Sequence, residues 1–351
     1  MGAAPSLGCG ARQQQQNMRG GVADAQGNGL VPVSALKGGA PARAPLDLAP
    51  GEEADEENIA TFPHNDSAMD LVLKPSNKTG APASSFNPTA LVAHETGERG
   101  TLEWRMHFTI NDKVASPWHD VPLYANPSSP ATSDVYMLCE IPKWTRRKFE
   151  IAPKEPSSPI KQDSKKGKVR EYMWGDMMFN YGALPQTWED PDTVDPDTGC
   201  MGDADPIDCI EVGNRPMQTG EVARVKVLGA LAMIDDGEAD WKLVAVREGE
   251  PLYQTCHDID DLKRELPGVV AAIHHWLKMY KTAEGKEENS FAFDGRAVDR
   301  TKAMSVVAHT HELWAEYLNK NGRNTLDALP GTGDAGALMR VSSISSIASS
   351  S

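Results

Sequence analysis

The residues that could do chemistry are concentrated in one acidic stretch, Gly202-Asp203-Ala204-Asp205-Pro206-Ile207-Asp208-Cys209-Ile210-Glu211-Val212-Gly213. Three aspartates fall at spacings of two and three, ahead of an apolar tail, Ile207 to Val212, with strand-like alternation. On an extended chain Asp203 and Asp205 point to one face. Pro206 cannot continue a ladder, so the chain is expected to bend there and let Asp208 converge from the next segment. Three carboxylates at one point repel one another unless something positive lies between them. For hard oxygen ligands the natural counter-charge is a divalent cation such as Mg2+ or Mn2+. A solvated acidic turn before a strand is the other reading, and the stretch alone does not choose between them. A calcium loop of EF-hand type fits less well, because the loop glycine and the terminal bidentate glutamate are not at the required offsets.

The elements that must position these residues are mostly strands. Arg105 lies within Thr101–Ile110, which alternates with period two and is expected to form a strand. Val121–Tyr124, Val135–Ile141, Phe149–Ile151, Cys209–Val212, Val222–Met233 and Trp241–Val246 are further strand candidates. Many short strands with few helices between them favour a closed barrel. The Asp236-Gly237 pair is a hairpin signal that would present Asp235 and Asp240 on one turn. Near the C-terminus the period changes. Val269, Ile273, Trp276 and Tyr280 predict an amphipathic helix with Pro267 near its first turn. Thr301 is a plausible N-cap for a second helix reaching about Asn319, with Met304, Val307, His311, Trp314 and Leu318 on its face.

The chain has 351 residues, a net charge of −15 and a pI near 5.1. That charge argues against nonspecific binding to nucleic acid or an anionic membrane surface, though not against a local basic pocket. No apolar run reaches transmembrane length, and the N-terminus lacks the apolar core of a secretory signal. Five scattered cysteines, Cys9, Cys139, Cys200, Cys209 and Cys256, show no zinc or redox spacing and predict free thiols in a reducing compartment.

Residues 1–96 are expected to be a disordered leader and linker. Within it, 1–50 is rich in Gly, Ala, Pro and Gln and is weakly basic, so a plastid or mitochondrial transit peptide is one reading and an untargeted leader another. Met1-Gly2-Ala3-Ala4-Pro5-Ser6 also fits the short myristoylation pattern, with Cys9 nearby for a second acyl chain. The folded domain is expected over 97–320, and 321–351 is a serine-rich tail with Arg340-Val341-Ser342 as a weak phosphorylation candidate. The expected location is the cytoplasm, or an organelle if the leader is a transit peptide, and not outside the cell.

At this point the motifs resemble one family closely. Gly202-Asp203-Ala204-Asp205-Pro206-Ile207-Asp208 is similar to the signature of soluble family I inorganic pyrophosphatases of the plant and fungal type. Glu140-Ile141-Pro142-Lys143-Trp144, Pro159 through Arg170, Asn180 through Pro191, Asp235 through Lys242 and Tyr280-Lys281 follow in the family's order and spacing. The resemblance covers about Gly97 to Asn319. It implies a β-rich α+β fold: an OB-like five-stranded closed barrel with flanking strands and two main C-terminal helices, which agrees with the strand reading above. It implies hydrolysis of pyrophosphate to two phosphates, Mg2+ as cofactor with Mn2+ as substitute, and a homodimer.

The roles are carried over position by position. Asp203, Asp208 and Asp240 would hold the tightest cation, with Asp208 bridging to a second, and Asp235 and Asp240 would hold metal arriving with substrate. Asp205 would orient the bridging water and take its proton. Lys148, Arg170, Tyr181, Lys242, Tyr280 and Lys281 would grip pyrophosphate and leaving phosphate, Arg as a fork and Lys as a point charge. Tyr181 counts among the catalytic residues as well. Glu140 and Glu150 would contact metal-bound waters or a lysine, and Lys148 and Glu150 share a strand face. Lys165, Lys166 and Lys168 are expected to be solvated. The family often carries a second tyrosine four residues before the one at Tyr181. Here Met177 stands there, and it cannot donate a proton, so tuned or lowered activity is the expectation. His274, His275, His309 and His311 have poor spacing for a shared site and are expected to be structural. The alternative is a non-catalytic relative that binds metal or phosphate and uses its tails to recruit partners. Such a relative should have lost the acidic and basic set, and none of it is lost.

Overall fold

A computed structural model of the chain describes residues 86–326, 329 and 330. The expectations for the leader up to residue 85, including Cys9 and the acylation pattern, and for the tail beyond 330 lie outside the described residues. In chain order the strands are β1 (Leu91–Thr96), β2 (Arg105–Ile110), β3 (Lys113–Ala115), β4 (Val135–Ile141), β5 (Phe149–Ile151), β6 (Ile160–Gln162), β7 (Ser164–Lys165) and β8 (Lys168–Val169). They continue with β9 (Asn180–Ala183), β10 (Met201–Gly202), β11 (Asp208–Glu211), β12 (Val222–Asp235), β13 (Glu238–Arg247), β14 (Ser290–Phe291) and β15 (Val298–Asp299). The helices are α1 (Pro251–Thr255), α2 (Ile259–Glu265), α3 (Val269–Met279) and α4 (Arg300–Asn321), with a short 3-10 turn, Tyr280–Glu284, continuing α3.

The architecture is β-rich with its helices towards the C-terminus. The strand that carries Asp208, β11, pairs in parallel with β13 and antiparallel with β9. β9 pairs with β4, β4 with β12, and β12 with β13. A second sheet runs β1, β2, β6, β5, with β3 on β2.

Period-two patterning sorts alternate residues of these strands into two cores. Tyr136, Leu138, Ile210, Val244 and Val246 join one buried cluster, together with Ile273, Trp276 and Leu277 of α3. Val135, Met137, Cys209, Leu243 and Ala245 join the other, which α4 covers with Ala303, Met304, Val306 and Val307. In β12 the parity changes: Val225 and Val227 face the α4 side, and beyond a register shift at Val227/Gly229 it is Ala230 and Ala232 that do so. A bulge of one residue inverts the faces of everything after it. That inversion sets which way the end of β12, with Asp235, is aimed.

Several expectations need correction. Leu91–Thr96 falls in the segment read as linker, yet it is a strand paired with β2 along its length. Of Leu-Val-Ala-His-Glu-Thr only His94 is buried, so no apolar alternation announced the strand. The strand expected over Thr101–Ile110 begins at Arg105. The Thr101 hydroxyl and amide both donate to the Glu98 carbonyl and turn the chain instead. Val121–Tyr124 contributes only a bridge between Tyr124 and Val135. The cap of α4 is Asp299, whose carboxylate accepts the Lys302 N–H at 2.8 Å, not Thr301. α3 starts at Val269, behind Gly268 in the left-handed region, so Pro267 precedes the helix. The short helices α1 and α2 were not anticipated. No helix of the described residues is long and apolar enough to cross a membrane. Cys139, Cys200, Cys209 and Cys256 are free thiols.

Candidate active site

Strand register brings the acidic and basic residues together. Asp208 opposes Lys242 across the parallel β11–β13 pair, and Ile210 opposes Tyr181 across β11–β9. Asp240 and Lys242 are two apart on β13 and so share a face. The Lys242 ammonium bonds both Asp208 and Asp240, and the Tyr181 hydroxyl donates to Asp208 Oδ2 at 2.5 Å. Lys242 is 2% exposed, so its charge is answered chiefly by these neighbours rather than by water. Burial alone would lower its pKa, but Asp208 and Asp240 outweigh that and hold it well above the usual lysine value.

The β12–β13 hairpin turns on Asp236 (φ 52°) and Gly237 (φ 93°). Two consecutive positive φ values are those of a type I′ turn, which is why Asp-Gly serves there. The turn puts Asp235 and Asp240 on the cavity side. Asp235 accepts the Tyr280 hydroxyl at 3.2 Å and pairs with Lys281. Tyr280 is held in place by stacking on Trp276, with centroids 5.2 Å apart, and by an edge contact with Tyr172.

The Asp203–Asp205 segment is not the extended chain expected from the sequence. Ala204 is left-handed, at φ 67°. Asp203 Oδ1 accepts the Asp205 N–H at 3.1 Å, and this local bond competes with strand geometry and favours the tight turn. Just before it, Gly202 lies so close to the Glu189 backbone that a Cβ would be 2.3 Å from its carbonyl carbon. The close approach brings Glu189 beside Asp203. Ligand oxygens of Glu189, Asp203 and Asp240 all lie within 4.8 Å of one another.

Glu189 was not singled out by sequence reasoning. It sits in a stretch, Asn180 to Asp190, that read as an aromatic turn. The carboxylate is buried; Oε1 accepts the Trp241 N–H at 2.9 Å, and Oε2 has no partner. Burial first, then Asp203 and Asp240, push its pKa well above the usual carboxylate range. The same causes, with Asp240 and Asp205 as the leading charges, raise Asp203. Asp240 is pushed up to about 6 by burial and Asp208, against the pull of Lys242. Asp205 is pushed up to about 7, first because the cavity walls strip water from it and then by Glu150, against Lys148. An all-carboxylate triad, two members buried and Asp203 half-buried, with an orphaned oxygen and raised proton affinities is what hard divalent cations fit.

The opposite wall is basic. Lys148 bonds Glu150 at 2.9 Å and Asp163 at 3.2 Å. Arg170 bonds Asp163 and Glu284, each at 3.0 Å. Glu140 is buried, accepts the Ile151 N–H at 2.7 Å, and is pushed well up by burial and by Asp208. Every residue expected at the site lines one cavity of about 210 Å³: Asp203, Asp205, Asp208, Asp235, Asp240, Glu140, Glu150, Lys148, Arg170, Tyr181, Lys242, Tyr280 and Lys281. Drug-sized pockets run to roughly 300–1,000 Å³, so this one suits a compact ligand. Tyr172 and Trp276 also line it and were not anticipated. Met177 does not: it is 1% exposed and packed in the core, and the phenol that faces the cavity from this segment is Tyr172. The helix histidines lie away from the cavity; His311, for example, bonds the Gln186 carbonyl oxygen at 2.7 Å.

Comparison with known proteins agrees with this geometry. The family model described as inorganic pyrophosphatase matches residues 137–315. The inorganic pyrophosphatase of Drosophila melanogaster is 44% identical over 65% of this chain and 68% of its own. The chloroplastic soluble inorganic pyrophosphatase 1 of Chlamydomonas reinhardtii is 41% identical over 66% of this chain and 81% of its own. Among solved structures, an N-terminally truncated vacuolar soluble pyrophosphatase of Trypanosoma cruzi in complex with PPi superimposes with a TM-score of 0.64. It is 42% identical and covers 72% of this chain and 99% of that one. A largely buried carboxylate triad facing a basic wall, on a chain with these relatives and this family match, makes this protein a member of the soluble inorganic pyrophosphatase family.

Proposed function

We propose that this chain hydrolyses pyrophosphate to two phosphates with Asp205 as the base, the carboxylates of Asp203, Asp208, Asp235 and Asp240 as metal ligands, and Lys148, Arg170, Tyr181, Lys242, Tyr280 and Lys281 as phosphate contacts. Glu189 joins the ligand set in this reading. The observation that carries it is the charge of the cavity: eight carboxyl groups line it against four cationic side chains. A polyanion cannot enter such a cavity unless divalent cations offset the walls. Mg2+ is the favoured ion because the proposed ligands are all carboxylate oxygens. Bound there, the cations would lower the pKa of a shared water and offset charge on the phosphates.

The chain's own groups then divide the work. Asp205 takes the proton of the attacking water while a water oxygen bonds phosphorus and the bridging P–O bond breaks. Arg170 and Lys148 hold one phosphate, and Lys281 and Tyr280 hold the other from the hairpin side. Glu140 and Glu150 orient waters and Lys148. A phosphate-release assay across Mg2+, Mn2+ and Ca2+ tests the reading. Turnover is expected to be highest with Mg2+, lower with Mn2+ and negligible with Ca2+, and no release with excess Mg2+ would sink it. The alternative of a non-catalytic relative is not favoured, since the full acidic and basic set converges on one cavity.

Further parts of the reading concern assembly. The pairing circuit from β13 through β11, β9, β4 and β12 back to β13 supports an OB-like closed five-stranded barrel. A folded domain flanked by a leader and a tail remains the proposed organisation, its N-terminal edge moved back to take in β1. For a homodimer, Trp144, Met173 and Trp174 offer exposed apolar surface on two paired segments. A solution mass of one chain would rule the dimer out. Cytoplasmic or organellar residence turns on whether residues 1–50 are removed, which N-terminal sequencing of the native protein reads directly.

A further inference from the structure

We infer that Glu284 is a positioning residue for pyrophosphate: it fixes the Arg170 guanidinium against the cavity wall and ties the two phosphate-gripping arms together. The inference rests on the reading of Arg170 as a phosphate contact.

Arg170 carries five N–H donors in a rigid plane. Nη1 donates to Asp163 Oδ2 and Nη2 to Glu284 Oε1, each at 3.0 Å. Nε is buried without a partner. The two carboxylates thus take one donor from each terminal nitrogen and fix the plane at two points. The donors left over are those a phosphate could use. With Asp163 alone, the guanidinium could swing about a single bond.

Glu284 is suited to this task. Its side chain is 6% exposed, and its second oxygen accepts from Lys165 Nζ at 2.5 Å. Burial by itself would raise its pKa, but Lys165 and Arg170 bring it below the ordinary glutamate value, so it stays ionised at neutral pH. Flanked by two cations, it can sit near a polyanion without repelling it.

Its place in the chain matters as much. Glu284 ends the 3-10 turn that begins with Tyr280 and Lys281. Those two residues bond Asp235 on the β12–β13 hairpin. Gly285, left-handed at φ 78°, closes the turn by donating its N–H to the Thr282 carbonyl at 3.0 Å. One short turn therefore bonds the metal-side hairpin at its start and the Arg170 arm at its end, and Glu284 makes the second of these connections.

Steady-state kinetics of the full chain with Mg2+ tests this. Glu284→Gln, near in size but uncharged, is expected to raise KM for magnesium pyrophosphate about tenfold while kcat changes less than threefold. In the Arg170→Ala background Glu284→Gln should add nothing, because a residue acting through Arg170 has no effect once Arg170 is gone. Lys165→Ala should leave KM within about twofold. Glu284→Asp, one methylene shorter but charged, should raise KM about threefold, and it serves in place of Glu284→Gln if that variant folds poorly. If Arg170→Ala raises KM and Glu284→Gln does not, or if the two losses add in the double variant, the inference on Glu284 is overturned and Arg170 keeps its role. If Arg170→Ala leaves KM unchanged, the phosphate role of Arg170 falls first and the inference with it.

Discussion

Asp205→Asn should lower kcat about a thousandfold while leaving KM within about threefold and the melting temperature within about 2 °C. The size follows from the role: a positioned general base contributes roughly 10²–10⁴-fold. The selectivity follows from the geometry. Asp205 is tied into the fold through its backbone, with its N–H donated to Asp203 Oδ1 and its carbonyl accepting the Glu189 N–H at 2.9 Å. Asparagine keeps both bonds and nearly the same volume. What it cannot do is accept a proton in the working pH range. In the metal-free site the crowded cavity and Glu150 push the wild-type carboxyl up to about 7, and cations on the neighbouring carboxylates would bring it down from there. A deprotonated base is the active form, so wild-type kcat/KM should rise with pH on its acid limb. At saturating Mg2+ that limb should be weaker in the residual activity of the variant, where only protons on the metal ligands remain to oppose turnover. Phosphate release across pH, alongside thermal melts of both proteins, measures all of this. Retention of a tenth or more of the wild-type turnover would rule Asp205 out as the base.

Which residues would meet came from the resemblance to the pyrophosphatase motifs, position by position; the fixed period of strands added only that residues two apart share a face. Asp240 and Lys242 share a face for that reason alone. How the backbone brings them together was less legible. Ala204 is left-handed in a turn where the next residue, Asp205, donates its N–H to Asp203 Oδ1, and alanine gives no sign of such a conformation. Glu189 joins the metal-side cluster because Gly202 lets two backbones touch. That is a contact between residues 13 apart, and no local pattern encodes it. A usable signal existed in one place: Pro251 at the first turn of α1, and Asp258 with Asp261 as a capping box for α2, mark two helices that periodicity is too short to register. The strand β1 carried no such signal. Its partners, not its own residues, make it a strand.

The acidic cluster also governs how the protein responds to metal and pH together. Glu189, Asp203, Asp205 and Asp240 all hold protons more tightly in the folded chain than in the unfolded one, chiefly because they are crowded out of water. For Asp240 and Asp205 the folded state binds more protons between the unfolded value near 4 and the folded values of about 6 and about 7, and Glu189 and Asp203 act in the same direction. Their contribution to stability therefore falls as pH rises through that window. Histidines act in the opposite sense. His119 is brought down to about 4 by burial and Arg323, so its contribution is lost as pH falls from about 6.5 to 4. Stability against pH alone thus mixes two opposed trends. The Mg2+-induced shift in melting temperature separates them, because His119 does not line the cavity and contributes equally with and without metal. A cation must displace the protons on its carboxylates, which is costly at pH 5.5 and nearly free at pH 8. At one fixed Mg2+ concentration, stabilisation should be larger at pH 8 than at pH 5.5 by roughly 2 kcal/mol, or about 4–8 °C for a domain of this size. Glu189→Gln should weaken the Mg2+ response about tenfold or more in concentration, because it removes the charge of one carboxylate of the proposed ligand set. Asp203→Asn combined with Asp240→Asn should abolish it. An equal Mg2+ shift at both pH values, or a shift that survives in the double variant, would place the cation somewhere other than this cluster.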